Sequence, residues 1–262
     1  MTLPSAPGAA ASPRSPWSWL LPTLALAALT VIYTADLNRP LFLTINRLSA
    51  YTGDTVWAYL TTLGDPLVAL ALLFPFVGRR PDLIFATFLG GLLATLWVHG
   101  LKQPLGVDRP PAEIARDLFT VIGPRHHHNA FPSGHTTTAM LLAGLIALHW
   151  PGRWFAWTAL VLGLLAGTAR MVVGVHWPLD VVGGAFGGWL AAVAGVWLAR
   201  RWHWGYTLIG QRALGTLLAI LPLWLLVHDT GYPTAAPLQY AVAVATLLMG
   251  TPGFLRLWRP AP

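Results

Sequence analysis

The sequence predicts an all-α, polytopic membrane protein, and three observations carry that prediction. Hydrophobic residues fill 55% of the 262 positions and charged residues only 10%, against about 25% charged in a soluble domain. Eight stretches approach the ~20 apolar residues that a helix needs to cross a hydrocarbon core about 30 Å thick. Many of the fourteen tryptophans stand near the ends of those stretches, where indole rings anchor at the interface. Trp17, Trp19, Trp150, Trp154, Trp202 and Trp204 are examples.

Taken in order, the spans are expected at about 17–35, 55–78, 82–101, 133–150, 154–174, 178–199, 213–229 and 236–253. A Pro-, Ser- and Ala-rich tail over 1–16, expected to be disordered, precedes the first. Ala25-Leu26-Ala27 has the small-residue look of a signal-peptidase site. Apolarity continues through Ile32, which predicts an uncleaved first span. The second span holds Gly64-Asp65-Pro66 near its middle. A carboxylate at that depth has a functional reading; the preferred one is that Asp65 caps a helix that restarts at Pro66. Between the third and fourth spans lies the longest polar connection, 102–132, with Lys102, Arg109, Glu113, Arg116, Asp117, Arg125 and His126-His127-His128. Ser133 is placed to cap the fourth span and Pro178 to open the sixth. Gly183, Gly184, Gly187 and Gly188 predict close helix packing along the sixth. The resulting organisation is a tail (1–16), a six-span core (17–200) and a C-terminal region (201–262) with two further spans.

Composition also excludes some functions. The chain has no cysteine, so disulfides and thiolate metal sites are ruled out. Its formal net charge of +7 could suggest nucleic acid, but no basic cluster exceeds two residues. The excess reads instead as loop topology plus an anionic ligand, and no nucleic acid is expected. With the N-terminus inside, the inner segments hold nine Lys/Arg and the outer ones seven. Setting aside Lys102, Arg109 and Arg170 as ligand-binding leaves nine against four, which points the long loop outward.

The spans also bring the polar residues to one membrane face. Span three ends at Lys102 and span four begins at Ser133. Span five ends near Arg170 and span six begins near Pro178. Lys102, Arg109 and Arg170 supply cations, and the Arg fork matches paired phosphate oxygens. A helix N-terminus at Ser133-Gly134 is an anion site in its own right, and Gly134 lets a ligand approach the backbone. His135 lies in the first turn of that helix. Asp180, four residues after His176, can reach one imidazole nitrogen and leave the other as an in-line nucleophile. The roles follow: His176 attacks phosphorus, Asp180 orients it, and His135 protonates the leaving oxygen and then activates water. Lys102, Arg109, Ser133, Gly134 and Arg170 hold the phosphate. The cations do the work a metal does elsewhere, so no metal or cofactor is required. A charged site at a membrane surface points to a phosphorylated membrane lipid as substrate.

Lys102-x6-Arg109-Pro110, Pro132-Ser133-Gly134-His135 and Arg170-x5-His176-x3-Asp180 together resemble the three motifs of the type 2 phosphatidic acid phosphatase family. That family is related to vanadium haloperoxidases and acid phosphatases. The resemblance covers about residues 50–200. It implies a six-helix core, a site at the membrane surface, a phosphohistidine intermediate and no metal. The third motif usually begins Ser-Arg; here Ala169 precedes Arg170, which predicts a weakened phosphate contact. The expected activity is hydrolysis of a lipid phosphomonoester or diphosphate, with a polyprenyl (undecaprenyl) diphosphate as first choice. Arg116 and Arg125 favour a diphosphate. Phosphatidylglycerol phosphate, phosphatidic acid and lipid A compete, since the motifs read phosphate and not the tail. The alternatives are a lipid phosphotransferase using the same phosphohistidine, a non-catalytic lipid transporter that kept the motifs as a binding site, and a vanadate-dependent haloperoxidase, which the spans argue against. His126–His128 are expected to lie in an unstructured polar loop. His99, one helical step of three before Lys102, has two readings, facing the site or packing, and the packing reading is preferred. The expected location is the cell (inner) membrane, with the site on the outer, periplasmic face.

Overall fold

A computed structural model describes residues 16–150 and 152–259. Apart from Pro16, which opens the first helix, the expected N-terminal tail lies outside the described residues. The described residues form an all-α protein. The helices are α1 (Pro16–Thr34), α2 (Asn38–Asn46), α3 (Ser49–Thr52), α4 (Asp54–Leu63), α5 (Pro66–Ala71) and α6 (Pro81–Leu105). After them come α7 (Pro110–Glu113), α8 (Gly134–His149), α9 (Arg153–Val172), α10 (Pro178–Arg201), α11 (Leu208–Leu225) and α12 (Ala236–Trp258).

Among the described residues, five segments are long and apolar enough to cross a membrane, or seven if each of two bent pairs counts as one span. The first bent pair turns by 106° between α1 and α2–α3, and the second by 54° between α4 and the α5 segment. Of the eight expected spans, α8 falls short of that length, with 16 residues. It is nonetheless well enclosed, packed by α9, α10 and α6.

Local chemistry sets the boundaries. α4 and α5 break at Asp65, whose Oδ1 accepts from the backbone N–H of Leu67 and Val68 at 2.8 and 3.3 Å, with Pro66 as the first helical residue. α6 stops at Gly106, which adopts the left-handed conformation (φ +53°) and donates its N–H to Lys102 O. α11 begins at Leu208, earlier than its polar Gln211-Arg212 pair suggests, because the Thr207 hydroxyl accepts from Gly210 N–H. It ends at Leu225 rather than near 229. The sequence reading missed α2, which buries Phe42 and Asn46.

The core lies where α6, α8, α9 and α10 meet, around Trp189, Met140, Leu141, Leu145 and Phe85. Two close backbone approaches bring α10 against α8. A Cβ on Gly184 would collide with Ser133 O, and one on Gly188 with Thr137 O. Only glycine allows main chains this near. α11 and α12 pair with each other and with α5. The outward faces of α1, α9, α11 and α12 expose Leu24, Leu26, Leu162, Leu217 and Leu248, as lipid-facing surfaces do.

Candidate active site

The polar residues gather at one end of the bundle, where the C-terminus of α6, the N-termini of α8 and α10 and the α9–α10 turn converge. The long α6–α8 connection folds over them. Backbone pairs Arg109 N–His127 O and Ala130 N–Val107 O, both 2.8 Å, close it on itself. The Asn46 side chain pins its far arm, donating to Thr120 O at 2.9 Å and Val172 O at 2.9 Å while accepting from Thr120 N–H at 2.8 Å.

His176 sits in the α9–α10 turn with 2% of its surface exposed. Its Nδ1 lies 3.2 Å from Asp180 Oδ2. That same oxygen accepts the backbone N–H of Trp177 at 2.8 Å, which fixes the carboxylate. On the other side of the ring, Arg109 Nη1 is 3.3 Å from Nε2. A guanidinium can only donate, so Nε2 must accept and Nδ1 carries the proton toward Asp180. This tautomer leaves the Nε2 lone pair facing the cations. Burial first, and then the charges of Arg109 and Arg170, hold the His176 pKa well below the ordinary 6.5.

Arg109, 7% exposed, is also a latch. Its Nε donates to His128 O at 2.9 Å, Nη1 to Val175 O at 3.2 Å and Nη2 to Asn129 O at 3.3 Å. It therefore ties the long connection to the turn that carries His176. Arg170, on the last turn of α9, is 3% exposed. Its Nε is buried with no hydrogen-bond partner. A buried unpaired donor on a cation is costly, and an anionic ligand would satisfy it.

Ser133 caps α8. Its hydroxyl accepts from Thr136 N–H at 3.4 Å and Thr136 Oγ1 at 2.9 Å. Its own N–H donates to Asp180 O at 3.0 Å, joining the second motif to the third. A Cβ on Gly134 would meet only Val98 Cγ1, at an ordinary 3.7 Å, so packing does not demand glycine there. The space it leaves is open to a ligand. His135 follows, with Nε2 3.7 Å from Asp65 Oδ2. Asp65 thus caps α5 with one oxygen and faces His135 with the other, a second imidazole–carboxylate pair that the sequence reading did not assign.

Lys102 and Arg109 border a recess of about 560 Å³ that His99, Gln103, Arg125, His126, His127, His128 and Asn129 complete. His99 is exposed and faces this recess, which corrects its reading as a packing residue. The 126–128 run lies in irregular backbone, with His128 Nδ1 2.6 Å from Asp108 Oδ1. Arg116 does not line the recess. Ala169 is fully buried in an apolar cluster with Trp57, Ala58, Val172 and Tyr232. Sequence reasoning missed Thr61 and Tyr232, whose hydroxyls accept from Arg170 Nη1 at 2.6 and 3.1 Å.

Two imidazoles, each facing a carboxylate, and the cations Lys102, Arg109 and Arg170 meet near a helix N-terminus in a membrane helix bundle. Residues 82–207 match the PAP2 superfamily model. The chain is 31% identical over 153 residues to the undecaprenyl-diphosphatase BcrC of Bacillus subtilis, covering 56% of this chain and 76% of that one. It is 35% identical over 166 residues to a lipid A 1-phosphatase of Rhizobium johnstonii, covering 56% of this chain and 64% of that one. Among solved structures, the crystal structure of Aquifex aeolicus LpxE superposes with a TM-score of 0.54 at 29% identity, covering 61% of this chain and 94% of that one. The chain belongs to the PAP2 superfamily and is a multi-pass membrane protein.

Proposed function

We propose that this protein is a lipid phosphate phosphatase that works through a phosphohistidine. The observation that carries the proposal is the state of His176: Nδ1–H toward Asp180, Nε2 lone pair toward Arg109. The Nε2 atom attacks phosphorus while the bond to the lipid oxygen breaks, and His135 gives that oxygen a proton. Water then attacks the phosphohistidine, His135 takes a proton from it, and inorganic phosphate leaves. Lys102, Arg109, Arg170 and the backbone at Ser133-Gly134 hold the equatorial oxygens through both steps. These cations replace a metal in neutralising the transferred group.

The favoured substrate is a polyprenyl diphosphate. Arg125 and His126 line the recess beside Lys102 and Arg109, which supports a reading in which they bind a second phosphate. The BcrC relative carries the name undecaprenyl-diphosphatase, and the lipid A 1-phosphatase makes lipid A the nearest competitor. The purified protein is expected to release phosphate from polyprenyl diphosphate with EDTA present. The kcat/KM should exceed those on lipid A, phosphatidylglycerol phosphate and phosphatidic acid. Loss of activity in EDTA would overturn the metal-free mechanism, and a higher kcat/KM on another lipid would reassign the substrate.

The favoured location is the cell (inner) membrane, with the site on the outer, periplasmic face. Arg80, Arg201 and Arg212 stack on Trp150, Trp197 and Trp258 at 5.0, 4.0 and 5.0 Å. Arg80 precedes α6 while Lys102 is in its last turn, and Arg201 ends α10 while Asp180 is in its first. This arginine girdle therefore occupies the end away from the site, as the positive-inside rule requires of a cytoplasmic face. A cysteine at Arg116 should react with an impermeant maleimide in intact cells or spheroplasts. Reaction only after lysis would invert the orientation.

A further inference from the structure

Arg170 is held from outside the segment that matches the family. Thr61 lies on α4 and Tyr232 in the α11–α12 connection, both beyond residues 82–207. Both hydroxyls accept from one nitrogen, Nη1, at 2.6 and 3.1 Å. A guanidinium has five N–H donors in a planar fork. With the two on Nη1 engaged, the Nε and Nη2 edge stays available, and Nε is buried without a partner. That edge is the one that grips two oxygens of a phosphate side-on. Thr61 and Tyr232 are themselves firmly placed. Thr61 is fully buried and Tyr232 is 5% exposed. The Tyr232 ring packs so close to Gly123 that a Cβ there would collide with it.

We propose that Thr61 and Tyr232 are positioning residues that clamp Arg170 Nη1 and turn its Nε–Nη2 edge toward the substrate phosphate. The α11–α12 pair is then part of the active unit rather than an appendage. The clamp also compensates for position 169, where alanine offers no hydroxyl and its methyl lies in the apolar cluster around Trp57 and Tyr232. The hydroxyls come instead from two distant parts of the chain. This inference rests on the phosphatase reading for its kinetic consequence, but phosphate binding tests it independently.

The test compares Tyr232→Phe, Thr61→Val, Thr61→Ser and the double variant Thr61→Val/Tyr232→Phe in the full-length protein in detergent. Inorganic phosphate affinity is read from the thermal shift and kcat/KM from turnover. Tyr232→Phe and Thr61→Val should each weaken phosphate binding and lower kcat/KM by about tenfold, the worth of one hydrogen bond to a charged group. Thr61→Ser, which keeps the hydroxyl, should recover most of the Thr61→Val loss. In an Arg170→Lys background, Tyr232→Phe should have no further effect on phosphate affinity, because the nitrogen it steadied is gone. Unchanged phosphate affinity in the double variant would overturn the clamp. So would an equal Tyr232→Phe loss in the wild-type and Arg170→Lys backgrounds. Phosphate binding that depends on both hydroxyls in a protein that turns over no lipid phosphate would keep the clamp and remove the phosphatase reading. A variant that fails to fold would show a collapsed melting transition, and Thr61→Ser against Thr61→Val would then decide.

Discussion

His176→Ala is expected to fold, to bind phosphate and to lose turnover by at least about 10⁴-fold, since the nucleophile supplies the bond that splits one difficult step into two. The loss corresponds to about 5 kcal/mol of transition-state stabilisation. Removal of this buried ring leaves a cavity and deletes polar contacts to Asp180 and Arg109, while Trp177 N–H still fixes Asp180 and Arg109 keeps its three carbonyl acceptors. The melting transition should therefore stay cooperative at a somewhat lower temperature, and Arg109 is left freer to grip an anion. An alkaline quench after mixing with lipid radiolabelled in its transferable phosphate should give a labelled, acid-labile protein with the wild type and none with the variant. The pH profile gives a second reading of the same residue. Burial and the flanking cations hold His176 below 6.5, so the free enzyme keeps its nucleophile neutral at and above that pH. The acid limb of kcat/KM, corrected for ionisation of the substrate, should lie below 6.5. A variant within tenfold of wild type would mean that another group attacks phosphorus.

Arg109→Lys is expected to cost the next most, by a different route. Lysine keeps the charge but not the fork. It cannot reach His128 O, Val175 O, Asn129 O and His176 Nε2 from one nitrogen. The carbonyls of the long connection would lose their buried donor, and the loop would loosen over the site. The expected result is a fall in kcat/KM of about 10²–10³-fold, the usual loss when one preorganised donor to a developing charge is removed. A destabilisation of about 2 kcal/mol should accompany it. Hydrogen exchange should rise over 107–130 and in the 173–177 turn, and stay unchanged along α11 and α12. A lysine variant with near-normal kcat/KM but a looser loop would reduce Arg109 to a latch.

Much of this was legible in the sequence because its signals are long or jointly constrained. Apolar runs of helical length fix α6, α9, α10, α11 and α12 with little ambiguity. The three motifs place seven polar residues, together with Gly134, on one membrane face whatever the absolute orientation. Asp65 as a cap was readable from Pro66 beside it. What stayed hidden depends on tertiary neighbours. α2 falls in the interval between the first two expected spans, where Asn38, Arg39 and Asn46 interrupt the apolar pattern. In the fold, Asn46 is buried, with its amide spent on loop carbonyls, and Asn38 Oδ1 accepts Leu179 N–H at 3.0 Å. Thr61 is one of two adjacent threonines in an apolar run and Tyr232 lies in a Gly- and Pro-containing connection, 109 and 62 residues from Arg170. No periodicity or spacing marks such partners. The second role of Asp65, opposite His135, was hidden because a capping oxygen says nothing about where its twin points.

The glycine contacts between α8 and α10 have a consequence for how such a protein can diversify. His135 rides on the first turn of α8, and His176 stands two residues before α10 begins. Where Gly184 and Gly188 let the main chains touch, the interval between the two backbone segments that carry the imidazoles is set at these contacts by backbone against backbone. Exposed leucines on α1, α9, α11 and α12 take no part in those contacts. The spacing of the two helix starts is thereby separated from the lipid-facing surface. That surface can drift toward a new lipid without retuning the chemistry.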